Sequence, residues 1–170
     1  DVRLAGEQSS VDAGAAIVRE AFGDCITSED RRIIEEVIVQ LLTARGEWLA
    51  TAESCTGGAI ANRITDVSGS SRVFGHGWVT YANEAKQQHL GVPAALIEKH
   101  GAVSEEVARA MAEGALKNSG ADHALSVTGI AGPTGGTPEK PVGTVWIALA
   151  SKNAETWAMK RFSPGARDRF

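Results

Sequence analysis

The sequence predicts an α/β fold, a largely parallel sheet with helices on both faces, and three observations predict it. From Trp48 onward, short apolar runs alternate with segments of helical periodicity, as in parallel sheets whose strands are joined by crossover helices. Two of those runs are followed by stretches rich in Gly, Ser and Thr, at the strand ends where open α/β sheets place ligand sites. The composition, 43% hydrophobic and 22% charged over 170 residues, is that of one globular domain whose core holds without disulfides or metal.

Taken in order, Leu4 to Gly23 carries Val11, Ala15, Val18 and Phe22 near helical spacing behind the polar breaker Gly6 to Ser10, and reads as an appendage. Ser28 is expected to cap a helix whose broad apolar face is Ile34, Ile38 and Leu41 with Ile33, Val37 and Leu42, and Gly46 ends it. Trp48 to Ala52 reads as a strand and Gly57 to Asp66 as the helix after it. Val73 to Tyr81 is a longer strand, followed by short helices over Asn83 to Leu90 and Pro93 to His100. Ser104 caps the next helix, with Glu105 and Glu106 complementing its dipole and Val107, Met111, Ala115 and Ala108, Ala112, Leu116 forming the buried stripe. Ala124 to Thr128 is a strand. The stretch from Gly129 to Pro141 is too rich in Gly and Pro for regular structure. Val142 to Ala150 and Thr156 to Phe162 flank a hairpin loop at Ser151 to Ala154, so the last strand is antiparallel and at or near an edge.

Charge and cysteine content exclude several functions. The formal charge of −4, with no Lys/Arg run longer than a pair, argues against a nucleic-acid groove. Cys25 and Cys55 lie far apart, without C-x-x-C or Cys/His ligand spacing, so reduced cytosolic thiols are expected rather than a disulfide or zinc site. The four histidines are scattered. No apolar run approaches the roughly 20 residues that span a bilayer, and the start has neither a signal-peptide core nor an initiator Met, as in a processed chain or a piece of a longer one.

Three segments carry the functional expectation. Thr51 to Gly58 is a strand end entering a helix start, where the new helix's N–H groups would face an anion or developing oxyanion and Ser54 would project at the sheet's top. The alternative there is that Ser54 or Thr56 is only a cap. Thr80 to Lys86 places Tyr81 at a strand end and Lys86 early on a helix. A desolvated lysine with a phenol beside it would deprotonate a serine, the alternative being a solvated Lys and an anchoring Tyr. Val127 to Gly136 has the glycine content of a phosphate loop without either nucleotide-binding spacing, so a long structural turn is equally open. Gly165-Ala166-Arg167 offers a guanidinium, the usual bidentate partner of phosphate.

Together, Ala52-Glu53-Ser54-Cys55-Thr56-Gly57-Gly58, Val79 to Lys86, Val127 to Pro133 continuing through Gly136 to Gly143, and Gly101 to Ala108 resemble the C-terminal domain of the CinA family, competence/damage-inducible proteins. Active members of that family are nicotinamide-nucleotide amidases. The resemblance runs from about Ser28 to Arg167 and implies a three-layer α/β/α sandwich on a five-stranded mixed, mostly parallel sheet. It also implies hydrolysis of the carboxamide of nicotinamide mononucleotide to nicotinate mononucleotide and ammonia, with neither metal nor organic cofactor. Ser54 matches the nucleophile, and Tyr81 and Lys86 the residues that activate it. Main-chain donors near Thr56, Gly57 and Gly58 would hold the oxyanion, while Thr128, Gly129, Gly132 and Arg167 would hold the nucleotide. The expected partners are a pyridine nucleotide, a second copy of the chain and an N-terminal domain of the same longer protein, in the cytoplasm. Residues 1–27 resemble an inter-domain connection. Residues 28–170 form the domain, truncated at its end because Phe162-Ser163-Pro164-Gly165-Ala166-Arg167 departs from the family's Phe-Gly-Asp-Arg and closing helix. The competing class is a non-catalytic nucleotide-binding or dimerisation module; a third reading is a Cys55 thiol amidase.

Overall fold

In the computed structural model, residues 2–163 are described. The chain separates into two compact units, residues 1–38 and 39–170. The first holds helix α1 (Gln8–Phe22), none of whose residues is buried, and a single 3-10 turn at Gly23–Cys25. Arg19 forks onto Glu29 through two hydrogen bonds, an exposed pair of small energetic weight.

Helix α2 (Ile34–Arg45) straddles the division and begins six residues after the expected cap. Ser28 instead donates to the Asp30 carboxylate, and the helix starts where Glu36 reaches back to accept the Ile33 N–H. Its buried positions are Glu35, Val39 and Leu42, while Ile33, Ile34 and Leu41 of the expected face are exposed. A helix with apolar residues on nearly every side does not select its own inner face.

The second unit is built on strands β1 (Leu49–Glu53), β2 (Phe74–Val79), β3 (His123–Gly129), β4 (Thr144–Ser151) and β5 (Trp157–Phe162), in the order β2-β1-β3-β4-β5. β1 pairs parallel with both β2 and β3, β4 is antiparallel to β3, and β5 is antiparallel to β4. β5 therefore points the same way as β1 to β3, leaving β4 as the reversed strand. The fold is the expected α/β class with a five-stranded mixed sheet.

Period-two alternation in β1 and β3 sends Ala50, Ala52 and Ala124 to one face, where they pack against Val107, Met111 and Ala115 of helix α6 (Glu105–Ser119). Small residues on the strands let the helix approach closely. Helices α4 (Asn83–Leu90) and α5 (Ala94–His100) cover the same face, Leu90 and Ile97 joining that cluster. The opposite face carries Thr51, Glu53 and Gly77 beneath helix α3 (Ala59–Thr65), where a Cβ on Gly77 would lie 3.4 Å from that of Ala61. Ser104 caps α6 as expected, accepting the Val107 N–H. A shallow hollow of about 300 Å³ lined by Trp48, His76 and Gly120 lies at the amino ends of the strands, away from the expected site.

Candidate active site

The carboxyl ends of β1, β2 and β3 are in register, Glu53 facing Val79 on one side and Val127 on the other. The main chain continues that register one step further: Ser54 N–H donates to Val127 O at 2.9 Å and Thr80 N–H to Glu53 O at 2.8 Å. Ser54 is thus fixed at the rim between two neighbouring strand ends, 8% exposed.

Lys86 lies one helical turn before Leu90 on the buried face of α4, a position where an apolar side chain would ordinarily pack. Its Nζ reaches Thr80 O at 2.8 Å, Tyr81 O at 3.1 Å and Ser54 Oγ at 3.2 Å. The side chain is 1% exposed. Burial pushes the ammonium's pKa below the ordinary lysine value, an effect only partly opposed by Cys55 and Glu84. The three acceptors suit either state: an ammonium donates to all of them, whereas a neutral amine donates to the two carbonyls and turns its lone pair to the Ser54 hydroxyl. Tyr81 contributes its carbonyl to this arrangement, and its side chain is largely exposed.

The turn after Ser54 differs from the expected open helix start. Gly57 and Gly58 lie in the left-handed region, at φ 62° and 95°, and form the turn rather than the helix. Gly58, at the helix cap, has no side chain to satisfy the first-turn donors. Glu53 does so: its carboxylate accepts from Gly58, Ile60 and Ala61 N–H at 3.1, 3.0 and 2.8 Å, while the residue is 1% exposed. Gly57 N–H is taken by Ser54 O at 3.1 Å. The N–H groups of Gly57 and Gly58 are therefore not open to an oxyanion, and within the turn those of Cys55 and Thr56 have no main-chain acceptor. The Thr56 hydroxyl is itself buried without a partner, so this residue offers its main chain.

Glu53 is the residue that sequence reasoning missed. The signal was a carboxylate shortly before a glycine-capped helix, whose orphan donors had to be met by something.

Cys55 is buried, and burial pushes its thiol up, offset in part by its own N–H and that of Thr56. It packs against β3, where a Cβ on Gly129 would come within 3.0 Å of its Sγ and 2.9 Å of Thr144 O. Gly129 thus serves close packing. Gly132 does likewise, since a Cβ there would meet Val142 Cγ1 at 2.5 Å. Thr128 is buried and donates to Ala102 O at 2.9 Å, tying the loop before α6 to the strand end. Arg167 lies outside the described residues.

This α/β domain, in which a serine and a buried lysine meet at the carboxyl rim of the parallel strands, has relatives among known proteins. The CinA C-terminal domain family model matches residues 31–170, and the chain belongs to that family. A CinA-like protein of Akkermansia muciniphila is 51% identical over 170 residues, which is 100% of this chain and 41% of that protein. One from Geobacter sulfurreducens is 55% identical over 155 residues, 91% of this chain and 37% of that protein. The chain thus spans about two fifths of the length of these curated relatives. Among solved structures, the Agrobacterium tumefaciens competence/damage inducible protein CihA matches with a TM-score of 0.76 at 45% identity, over 78% of this chain and 81% of that one. A CinA superfamily protein from Escherichia coli matches with a TM-score of 0.76 at 34% identity, over 84% of each chain.

Proposed function

We propose that this domain hydrolyses the carboxamide of nicotinamide mononucleotide to nicotinate mononucleotide and ammonia through an acyl-enzyme on Ser54. The observation that carries the reading is the buried Lys86 amine on the Ser54 hydroxyl, at 3.2 Å. Desolvation lowers the lysine pKa and so makes the neutral, basic form easier to reach, and a serine needs such a base to become a nucleophile.

In the proposed reaction Lys86 takes the Ser54 proton as Oγ attacks the amide carbon. The tetrahedral oxyanion is held by the N–H groups of Cys55 and Thr56, which turn to it from the Cys55 thiol and have no main-chain acceptor among the described residues. Collapse expels ammonia, which receives the proton from Lys86. Water then attacks the acyl carbon, giving its proton to Lys86, and Ser54 leaves with that proton returned. Because Lys86 contacts Ser54 directly, no phenol relay is needed; Tyr81 acts by fixing the amine through its carbonyl, with its exposed ring bordering the substrate. Residues 1–27 are proposed as the connection to a preceding domain of a cytoplasmic protein.

The test is ammonia release from nicotinamide, its riboside and its mononucleotide by one preparation. The reading predicts the mononucleotide as the preferred substrate, and no release from any of the three would leave a non-catalytic binding module in its place.

A further inference from the structure

We propose that Lys140 is the anion-recognising residue of this site, holding the substrate's phosphate. The identity of that substrate rests on the amidase reading above; the anion site itself does not.

The loop after β3 is closed at its base by Ile130 N–H on Thr144 O at 2.9 Å and Gly143 N–H on Ile130 O at 2.8 Å. Within it a tight turn fixes the main chain of Lys140: its N–H donates to Thr137 Oγ1 at 3.1 Å, and its carbonyl accepts from Thr137 N–H at 2.9 Å. The side chain folds inward and its ammonium donates to His100 O, at the end of α5, at 2.6 Å. A Cβ on Gly101 would lie 3.3 Å from that nitrogen. The next residue, Ala102, accepts the Thr128 hydroxyl, and Thr128 adjoins Val127, whose carbonyl takes the Ser54 N–H. This series of contacts ties the segment that holds the ammonium to the strand end that holds the Ser54 main chain.

Among the described residues, the acidic groups at the start of α6 are engaged elsewhere. Glu106 is engaged by His100 at 3.0 Å and Glu105 by Arg109 at 2.8 Å. Among the described residues no carboxylate lies within ion-pair distance of Lys140. A half-buried ammonium with three donors and a single carbonyl acceptor has two N–H groups for an anion. Of the other candidates for this role, the Thr128 hydroxyl is engaged by Ala102 O and Arg167 lies outside the described residues.

Two measurements test the assignment separately from the chemistry. Amide chemical shifts of the full chain are followed on adding ribose 5-phosphate, with ribose as the control. Shifts at Gly101, Ala102 and Lys140 with the phosphate alone, lost in Lys140→Met and retained in Lys140→Arg, are expected. In the ammonia assay, Lys140→Met should lower the preference for mononucleotide over riboside by about tenfold or more, through KM rather than kcat. If ribose 5-phosphate shifts nothing there, or the Met variant responds as the wild type does, Lys140 is not the anion site whatever the amide assay gives. If instead the shifts appear as expected but no compound releases ammonia, the amidase reading fails and the anion site stands.

Discussion

A lysine that is 1% exposed, with three neutral oxygen acceptors at 2.8 to 3.2 Å, gives up part of its hydration and gains no full counter-charge in return. Its ammonium is therefore a stronger acid than an ordinary lysine's, with a pKa below 10.5. Two outcomes follow from the direction of that shift. As pH rises, kcat/KM should rise along a limb whose midpoint lies below 10.5, because only neutral Lys86 accepts the Ser54 proton. Lys86→Arg, which stays charged, should lose on the order of 10²–10⁴ in rate, the usual contribution of a general base; near-normal turnover would return Lys86 to a structural role. Stability carries the same signature. Between the depressed folded pKa and 10.5 the unfolded chain binds more protons than the folded one, so unfolding free energy should increase with pH across that window and flatten in Lys86→Met. Denaturant titrations at several pH values measure this. Cys55→Ala should keep most of the activity, since the buried thiol is held in its neutral form. Ser54 and Lys86 were legible as chemistry-bearing types at two strand ends. Their direct contact was not, because a pair 32 positions apart meets only through the parallel pairing of β1 with β2. The contact that Tyr81 makes to Lys86 is through its carbonyl, which every residue type carries and no sequence pattern marks.

At the scale of elements, the reactive turn is held by a single carboxylate. Glu53 meets three N–H groups of the α3 start, so removing it leaves part-buried donors without that partner. Glu53→Ala should cost about 3 kcal/mol or more in stability, and Glu53→Gln less, because the amide keeps one acceptor oxygen. Thermal or denaturant unfolding checks this; a loss well under about 1 kcal/mol for the Ala variant would mean that water replaces the carboxylate. Helix packing sets a second constraint. A Cβ on Gly114 of α6 would lie 1.9 Å from the Leu90 carbonyl at the end of α4, the helix that carries Lys86. Gly114→Ala should therefore destabilise by about 1–3 kcal/mol and also lower turnover by displacing α4, measured by unfolding together with ammonia release. The strands, the α6 cap and the hairpin were readable from alternation, a Ser before two glutamates and a short polar loop. The start of α2 was not. Ser28 sits among charged residues that compete for its hydroxyl, and Asp30 wins it.

Across the whole molecule, the order β2-β1-β3-β4-β5 puts the strand bearing Ser54 between the two parallel neighbours whose following segments complete the site. β2 leads to the Lys86 helix, and β3 leads to the loop bearing Lys140. This is the general logic of open α/β sheets, in which ligands meet loops beyond the carboxyl ends of strands. The class of fold was legible because periodicity and glycine placement repeat along the chain; the division of labour among the loops depended on which side chains they turn inward. The central claim is that Ser54, activated by Lys86, forms a covalent acyl intermediate. Its most direct measurement is intact-protein and peptide mass analysis of enzyme quenched in acid during turnover of nicotinamide mononucleotide. The account predicts an adduct equal in mass to the mononucleotide less ammonia, located on Ser54 and absent from Ser54→Ala. An adduct on Cys55, or ammonia release by Ser54→Ala at the wild-type rate, would contradict it.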